Sequence, residues 1–136
     1  MNDKVFFDTN LLIYLYSEDE PQKQARVLTQ IKNTENRWIS TQVLNELSNT
    51  LRRKFKLDYD DIANVIAEIG NIFEITTIQV ETIEYALKIA KHYRYSYYDS
   101  VIIAAALENQ CTQLYSEDMQ HKQIIEERLQ IINPFL

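Results

Sequence analysis

The sequence predicts an α/β sandwich, in which a mainly parallel sheet lies between helical layers, and three observations predict it. Short apolar runs alternate along the whole chain with longer segments of helical period. Several of those runs end at a polar residue able to begin a helix, as Phe7 gives way to Asp8-Thr9-Asn10. Residues 101–107 are apolar around the full helical circumference, which suits a helix covered on all sides. The chain has 136 residues, 46% hydrophobic and 25% charged, which is the length and balance of one packed domain over 1–136. No linker, internal repeat or low-complexity segment divides it.

Residues 4–7 read as a buried strand, and the polar exit Asp8-Thr9-Asn10 begins a helix through 11–16. Pro21 suits the first turn of the next helix, which runs to about Lys32 on Ala25, Val27, Leu28 and Ile31. Trp38 and Ile39 make a second strand. Ser40 then caps a helix whose apolar residues Val43, Leu44, Leu47, Leu51 and Phe55 recur at three and four, with Arg52, Arg53, Lys54 and Lys56 at its end. A further helix spans 58–69, a third strand 73–77, and a helix over 80–92 places Ile83, Leu87 and Ala90 inward. The apolar helix at 101–107 follows, and residues 113–115 and 130–132 supply the last two strands.

Composition excludes several classes of function. The single glycine, Gly70, rules out phosphate-binding loops built on several glycines. One cysteine, Cys111, and two histidines, His92 and His121, cannot build the usual Cys/His zinc sites, and a lone cysteine fits a reducing, cytoplasmic setting. The opening Met1-Asn2-Asp3-Lys4 leads into too short an apolar run for a cleavable signal, and no stretch approaches the ~20 apolar residues of a membrane helix. A net charge of −6 opposes binding of nucleic acid over a broad basic surface. Two routes to nucleic acid remain: a local basic strip, or an acidic pocket neutralised by divalent cations.

Four carboxylates carry the chemical reading, each beside a plainer one. Asp8 ends a strand and suits either the cap of the following helix or a site at the sheet edge. Asp99 lies in Ser96-Tyr97-Tyr98-Asp99, the pattern of a capping box. Asp118 follows a strand in Ser116-Glu117-Asp118 and suits a turn. Glu46 lies off the centre of its helix's apolar stripe, on a face that solvent would cover. Taken together, the four stand at strand exits and helix starts that border one sheet edge. Four converging carboxylates stay ionised only with divalent cations, and hard oxygen ligands select Mg²⁺ or Mn²⁺. Such ions activate water for phosphodiester hydrolysis.

At these residues the chain resembles a known family. Val5-Phe6-Phe7-Asp8-Thr9-Asn10, Glu46, Tyr95-Ser96-Tyr97-Tyr98-Asp99 running into Val101-Ile102-Ile103-Ala104-Ala105-Ala106, and Leu114 through His121 look like the PIN domain. Within it they look most like the VapC toxins of bacterial toxin–antitoxin pairs, which are metal-dependent ribonucleases. The likeness spans nearly the whole chain and departs where Asn109-Gln110 stands for a frequent Ala-Gly and Tyr98 for another aromatic. The resemblance implies a PIN-like three-layer α/β/α sandwich. It also implies an acidic quartet of Asp8, Glu46, Asp99 and Asp118, with Thr9 and Ser116 as supporting polar groups and Mg²⁺ or Mn²⁺ as cofactor. It implies an RNA substrate cut by metal-activated water, a cognate antitoxin and a homodimer; the lack of a membrane-length apolar run leads separately to the expectation of no membrane association.

Other features have lesser claims. Arg52, Arg53, Lys54 and Lys56 form the dense basic cluster, read either as helix-end charge or as an RNA-phosphate contact. Lys88, Lys91 and Arg94 are a second strip. His121 suits a phosphate contact or a plain surface histidine, and Tyr97 and Tyr98 could stack on a base. Leu11, Leu12, Tyr14, Leu15 and the helix from Asp58 carry apolar surface for a partner or for internal packing. Two rival functions stand beside the ribonuclease. One is a non-catalytic PIN-like module that binds RNA or protein. The other is an aspartyl-nucleophile phosphatase, disfavoured because that chemistry wants an acid where Asn10 stands.

Overall fold

Consecutive buried residues in a strand need cover on both faces, because neighbouring side chains point to opposite sides of the sheet. Strand β1 (Lys4–Phe7) is of this kind, with Val5, Phe6 and Phe7 all buried. The computed structural model describes residues 3–136; Met1 and Asn2, part of the opening segment in which no cleavable signal is expected, lie outside the described residues. The remaining strands are β2 (Asn36–Ser40), β3 (Glu74–Thr76), β4 (Gln113–Tyr115), β5 (Ile124–Ile125) and β6 (Leu129–Ile132). They form one sheet in the order β3-β2-β1-β4-β6-β5, parallel throughout except for the β5–β6 pair. Phe6 stands level with Trp38 on one side and with Leu114 on the other. The expected mainly parallel α/β sandwich is the observed fold.

The helices are α1 (Thr9–Tyr14), α2 (Pro21–Asn33), α3 (Thr41–Arg53), α4 (Tyr59–Ile72), α5 (Val80–Tyr93) and α6 (Tyr97–Glu108). They pack in two groups, α1 through α4 in a chain of contacts and α5 against α6. Their starts follow local chemistry. Asp8 caps α1, the Ser40 hydroxyl accepts the Val43 N–H at 3.4 Å, Asp58 accepts the Asp61 N–H at 2.8 Å, and Pro21 opens α2. Their ends lack glycine. Arg94 after α5 and Gln110 after α6 adopt left-handed backbones at φ 64° and 58°, conformations that disfavour side chains carrying a Cβ. At Gln110 the resemblance leads one to expect glycine, and the backbone takes the conformation that glycine adopts freely.

The structure corrects several expectations. Helix α1, begun as expected at the polar exit by the Asp8 cap, ends at Tyr14 and not at residue 16. Leu11 and Leu12 are fully buried within the chain, so neither is available to a partner. Along α2 only Val27 is buried, while Leu28 is exposed. Along α5 the inward face is one residue out of step with expectation: Thr82, Ala86 and Ile89 are buried, whereas Ile83 and Leu87 are 40% and 57% exposed. This face packs on α6, where Ala86 meets Val101 and Ala104 with Ile78 and Tyr85 at the edge of the cluster. Strand β5 has two residues, too few for a pattern to show in sequence.

The α5 assignment is open to direct test by urea unfolding. Ile89→Ala should lower stability by about 2–5 kcal/mol, whereas Leu87→Ala should change it by less than about 0.5 kcal/mol. Equal losses at the two positions would contradict the observed face.

Candidate active site

From β1 the chain builds outward to β2 and β3, then returns to place β4 on the other side of β1. The strand order therefore reverses between β1 and β4, and the crevice beyond the carboxyl ends of such a pair is where open parallel sheets bind ligands. Asp8 leaves β1 there, its N–H donating to the Tyr115 carbonyl at 2.9 Å, and Ser116 leaves β4 beside it.

Asp8 is 5% exposed and engages both carboxylate oxygens: Oδ1 accepts the Thr9 N–H at 2.7 Å and Oδ2 accepts the Ser116 hydroxyl at 2.8 Å. It is thus a helix cap and a buried acid at once. Thr9, also buried, donates its hydroxyl to Glu46 Oε1 at 2.8 Å, and Gln42 Nε2 donates to Glu46 Oε2 at 2.8 Å. Glu46 is half-buried rather than on a solvated face, because α1 packs against α3. The Ser96 hydroxyl accepts the Asp99 N–H at 3.3 Å, so the expected cap exists and sets Asp99, half-buried, in the first turn of α6. Asp118 is exposed in the bend after β4 and accepts a hydrogen bond from Asn10 Nδ2. Asn10 and Gln42, which orient two of the acids, carried no spacing signal that singled them out as acid partners.

Electrostatics joins the four acids. Burial pushes Asp8 up to about 7; hydrogen bonds from Ser116 and Thr9 oppose the rise, and the negative charges of Asp99 and Glu46 add to it. Burial likewise raises Asp99, against the Ser96 hydrogen bond, with Asp118 and Glu46 adding repulsion. Among the described residues no three acid, histidine or cysteine side chains stand arranged to hold a metal ion. Asp8, Glu46 and Asp118 are each turned toward a neutral donor. The donor set nonetheless fits Mg²⁺ or Mn²⁺ chemically: it is all hard oxygen, and it includes a buried carboxylate whose charge both burial and its neighbours disfavour. Each carboxylate oxygen keeps a second lone pair, so these hydrogen bonds orient the acids and leave them able to bind an ion.

Among the described residues, none of the other candidates forms a hydrogen bond to the four acids. Arg52 donates to the Leu57 carbonyl at 3.0 Å and stacks on Tyr59, which is helix-end work. Arg53 and Lys56 are exposed and line shallow clefts with Thr50, Arg52 and Lys54. His121 Nδ1 accepts the Asn133 N–H at 2.9 Å and so ties the loop after β4 to the end of β6. Tyr97 and Tyr98 are exposed beside Asp99, while Cys111 is buried filler. A cleft of about 460 Å³ between Tyr16, Leu51, Phe55 and Leu57 contains none of the four acids.

The PIN domain family matches residues 5–126, and the chain belongs to that family. No curated protein matches it in sequence. Its fold is shared with the sarcin-ricin loop cleaving toxin VapC20 of Mycobacterium tuberculosis, at 17% identity and a TM-score of 0.70 over 85% of this chain and 90% of that one. A toxin–antitoxin complex from Klebsiella pneumoniae is similar at 18% identity and a TM-score of 0.75, covering 96% and 98% of the two chains. DNA-bound VapBC from Salmonella typhimurium is similar at 18% identity and a TM-score of 0.66, over 96% and 98%. No helix among the described residues is long and apolar enough to cross a membrane.

The Asp8 environment has a pH signature in protein freed of metal with EDTA. Its folded-state pKa lies above the unfolded value of 3.8, so its contribution to stability is complete below about pH 4 and is lost as pH rises through about 7. A rise from 3.8 to about 7 corresponds to roughly 4 kcal/mol at most. Wild type should therefore lose stability relative to Asp8→Asn between pH 5 and pH 8, as read by urea midpoints. Parallel pH profiles for the two proteins would mean that Asp8 is not a destabilised carboxylate.

Proposed function

We propose that the chain is a divalent-metal-dependent endoribonuclease and the toxin component of a toxin–antitoxin pair. The observation that carries this reading is the buried Asp8 at the point where strand order reverses, with Asp99 and Glu46 close enough to raise its pKa. Membership of the PIN family and the likeness to VapC toxins support it. Asp8, Glu46, Asp99 and Asp118 would hold Mg²⁺ or Mn²⁺. When bound, such an ion acts as a Lewis acid that lowers the pKa of an attacking water and offsets charge on the leaving oxygen.

The protein's own groups prepare that centre. Ser116 and the Thr9 N–H orient Asp8, the Thr9 hydroxyl and Gln42 orient Glu46, and Asn10 orients Asp118. Asn10 stands where an aspartyl-nucleophile phosphatase needs its acid, and its amide is given to Asp118, which disfavours that rival. Arg53 lies seven residues beyond Glu46 on nearly the same face of α3, about 10 Å along the axis, a reach of one or two nucleotides. We assign it the first RNA-phosphate contact outside the acids, ahead of Lys56, whose left-handed backbone lies past the helix end. Arg52 is occupied at the helix end, and His121 is committed to Asn133 through one nitrogen. A cytoplasmic setting, a cognate antitoxin over the acidic crevice and a homodimer belong to the same reading.

Asp99→Asn decides between enzyme and inert module. The variant should remain folded and lose Mn²⁺-dependent cleavage of single-stranded RNA by several orders of magnitude, because it removes a charged ligand. Wild-type rates in folded Asp99→Asn, or a wild type that cleaves nothing with Mn²⁺, would favour the non-catalytic module. Arg53→Gln should weaken RNA binding and flatten its salt dependence without changing Mn²⁺ affinity, and binding measured across a salt series checks this. Unaltered binding would return the cluster to helix-end charge and direct attention to Lys88, Lys91 and Arg94.

A further inference from the structure

Among the described residues one ion pair joins side chains, and it lies beside the acidic crevice. Lys23 on α2 meets Glu117 Oε2 at 2.6 Å. Glu117 stands between Ser116, which bonds Asp8, and Asp118. Its carboxylate also accepts the Tyr14 hydroxyl from α1, and Lys23 Nζ donates to the same Tyr14 oxygen at 3.0 Å. The ammonium sits over the rings of Tyr14 and Phe135 at 4.8 and 5.5 Å, and those rings meet edge to face at 5.4 Å. The Glu117 carbonyl accepts Asn133 Nδ2 at 3.3 Å. One loop residue is thus moored to α1, α2 and the C-terminal segment, and the residues on either side of it belong to the candidate site. The bend at 117–119 has no helix or strand hydrogen bonds of its own to hold it.

We propose that Lys23 is a positioning residue: by holding Glu117 it sets where Ser116 and Asp118 stand, and through them the affinity of the acidic site for a divalent cation. The inference rests on the metal-site reading above. It makes a prediction whose sign opposes simple electrostatics. A lysine near a cation site repels the incoming ion, so removing its charge alone should tighten binding. Loss of a group that orients ligands should weaken binding, by about tenfold or more where outer partners of metal sites are removed.

Lys23→Met keeps the apolar stem against Tyr14 and Phe135 while deleting the charge, and Lys23→Arg retains the charge. Mn²⁺ affinity, measured by titration calorimetry on the full chain stripped of metal, should weaken about tenfold or more in Lys23→Met and recover in Lys23→Arg. In a Glu117→Gln background, Lys23→Met should produce no further weakening. Amide exchange at Met119, whose N–H donates to the Ser116 hydroxyl at 3.3 Å, should quicken in Lys23→Met without metal. Unchanged or tighter Mn²⁺ binding in Lys23→Met would overturn the proposal, as would weakening that Lys23→Arg shares in full. If Lys23→Met fails to fold, Lys23→Gln takes its place and is read against Lys23→Arg in the same way. Wild-type protein that binds no Mn²⁺ removes the metal half together with the proposed function, and exchange at Met119 then decides the positioning half alone.

Discussion

Burial of the Asp8 carboxylate is the constraint around which the rest of the centre is arranged. A carboxylate withdrawn from water needs hydrogen bonds to both oxygens, and the two that form here join three elements: the exit of β1, the start of α1 through Thr9, and the exit of β4 through Ser116. The next two residues extend the arrangement outward. Thr9 reaches Glu46 on α3, and Asn10 reaches Asp118 beyond β4. Of three consecutive residues, Asp8 is one of the four acids and Thr9 and Asn10 touch two more, and the remaining one, Asp99, arrives on the separately capped start of α6.

Helix capping and acid placement are the same structural act in this chain. Asp8 satisfies the start of α1 and presents a buried charge at the crevice; Ser96 satisfies the start of α6 and sets Asp99 in its first turn. Each cap therefore positions an acid whose ionised form the surroundings disfavour, since burial and neighbouring carboxylates raise both Asp8 and Asp99. The opposing influence lies one layer out, where Lys23 and Tyr14 together hold Glu117 below its ordinary value although burial pushes it up. An acidic centre with its nearest ion pair one residue away concentrates negative charge in the crevice without leaving the adjoining loop unanchored.

Local sequence chemistry determined much of this protein. The alternation of apolar runs and helical periods sufficed for the α/β class and the parallel sheet, because a strand followed by a crossover helix leaves little choice of arrangement. The caps at Asp8, Ser40 and Ser96 were legible because each is a contact within three residues. The four acids stood out by their places at element ends, and their blocks carried the family resemblance. Tertiary structure alone decided the rest. Which face of α5 turns inward depended on its packing against α6, a property of two helices and not of one. That Glu46 is half-buried, that Asn10 serves Asp118, and that Lys23 anchors the loop at Glu117 are contacts spanning 37 to 108 residues. No local period records such contacts, because they arise where the fold brings strand exits and helix flanks to one crevice.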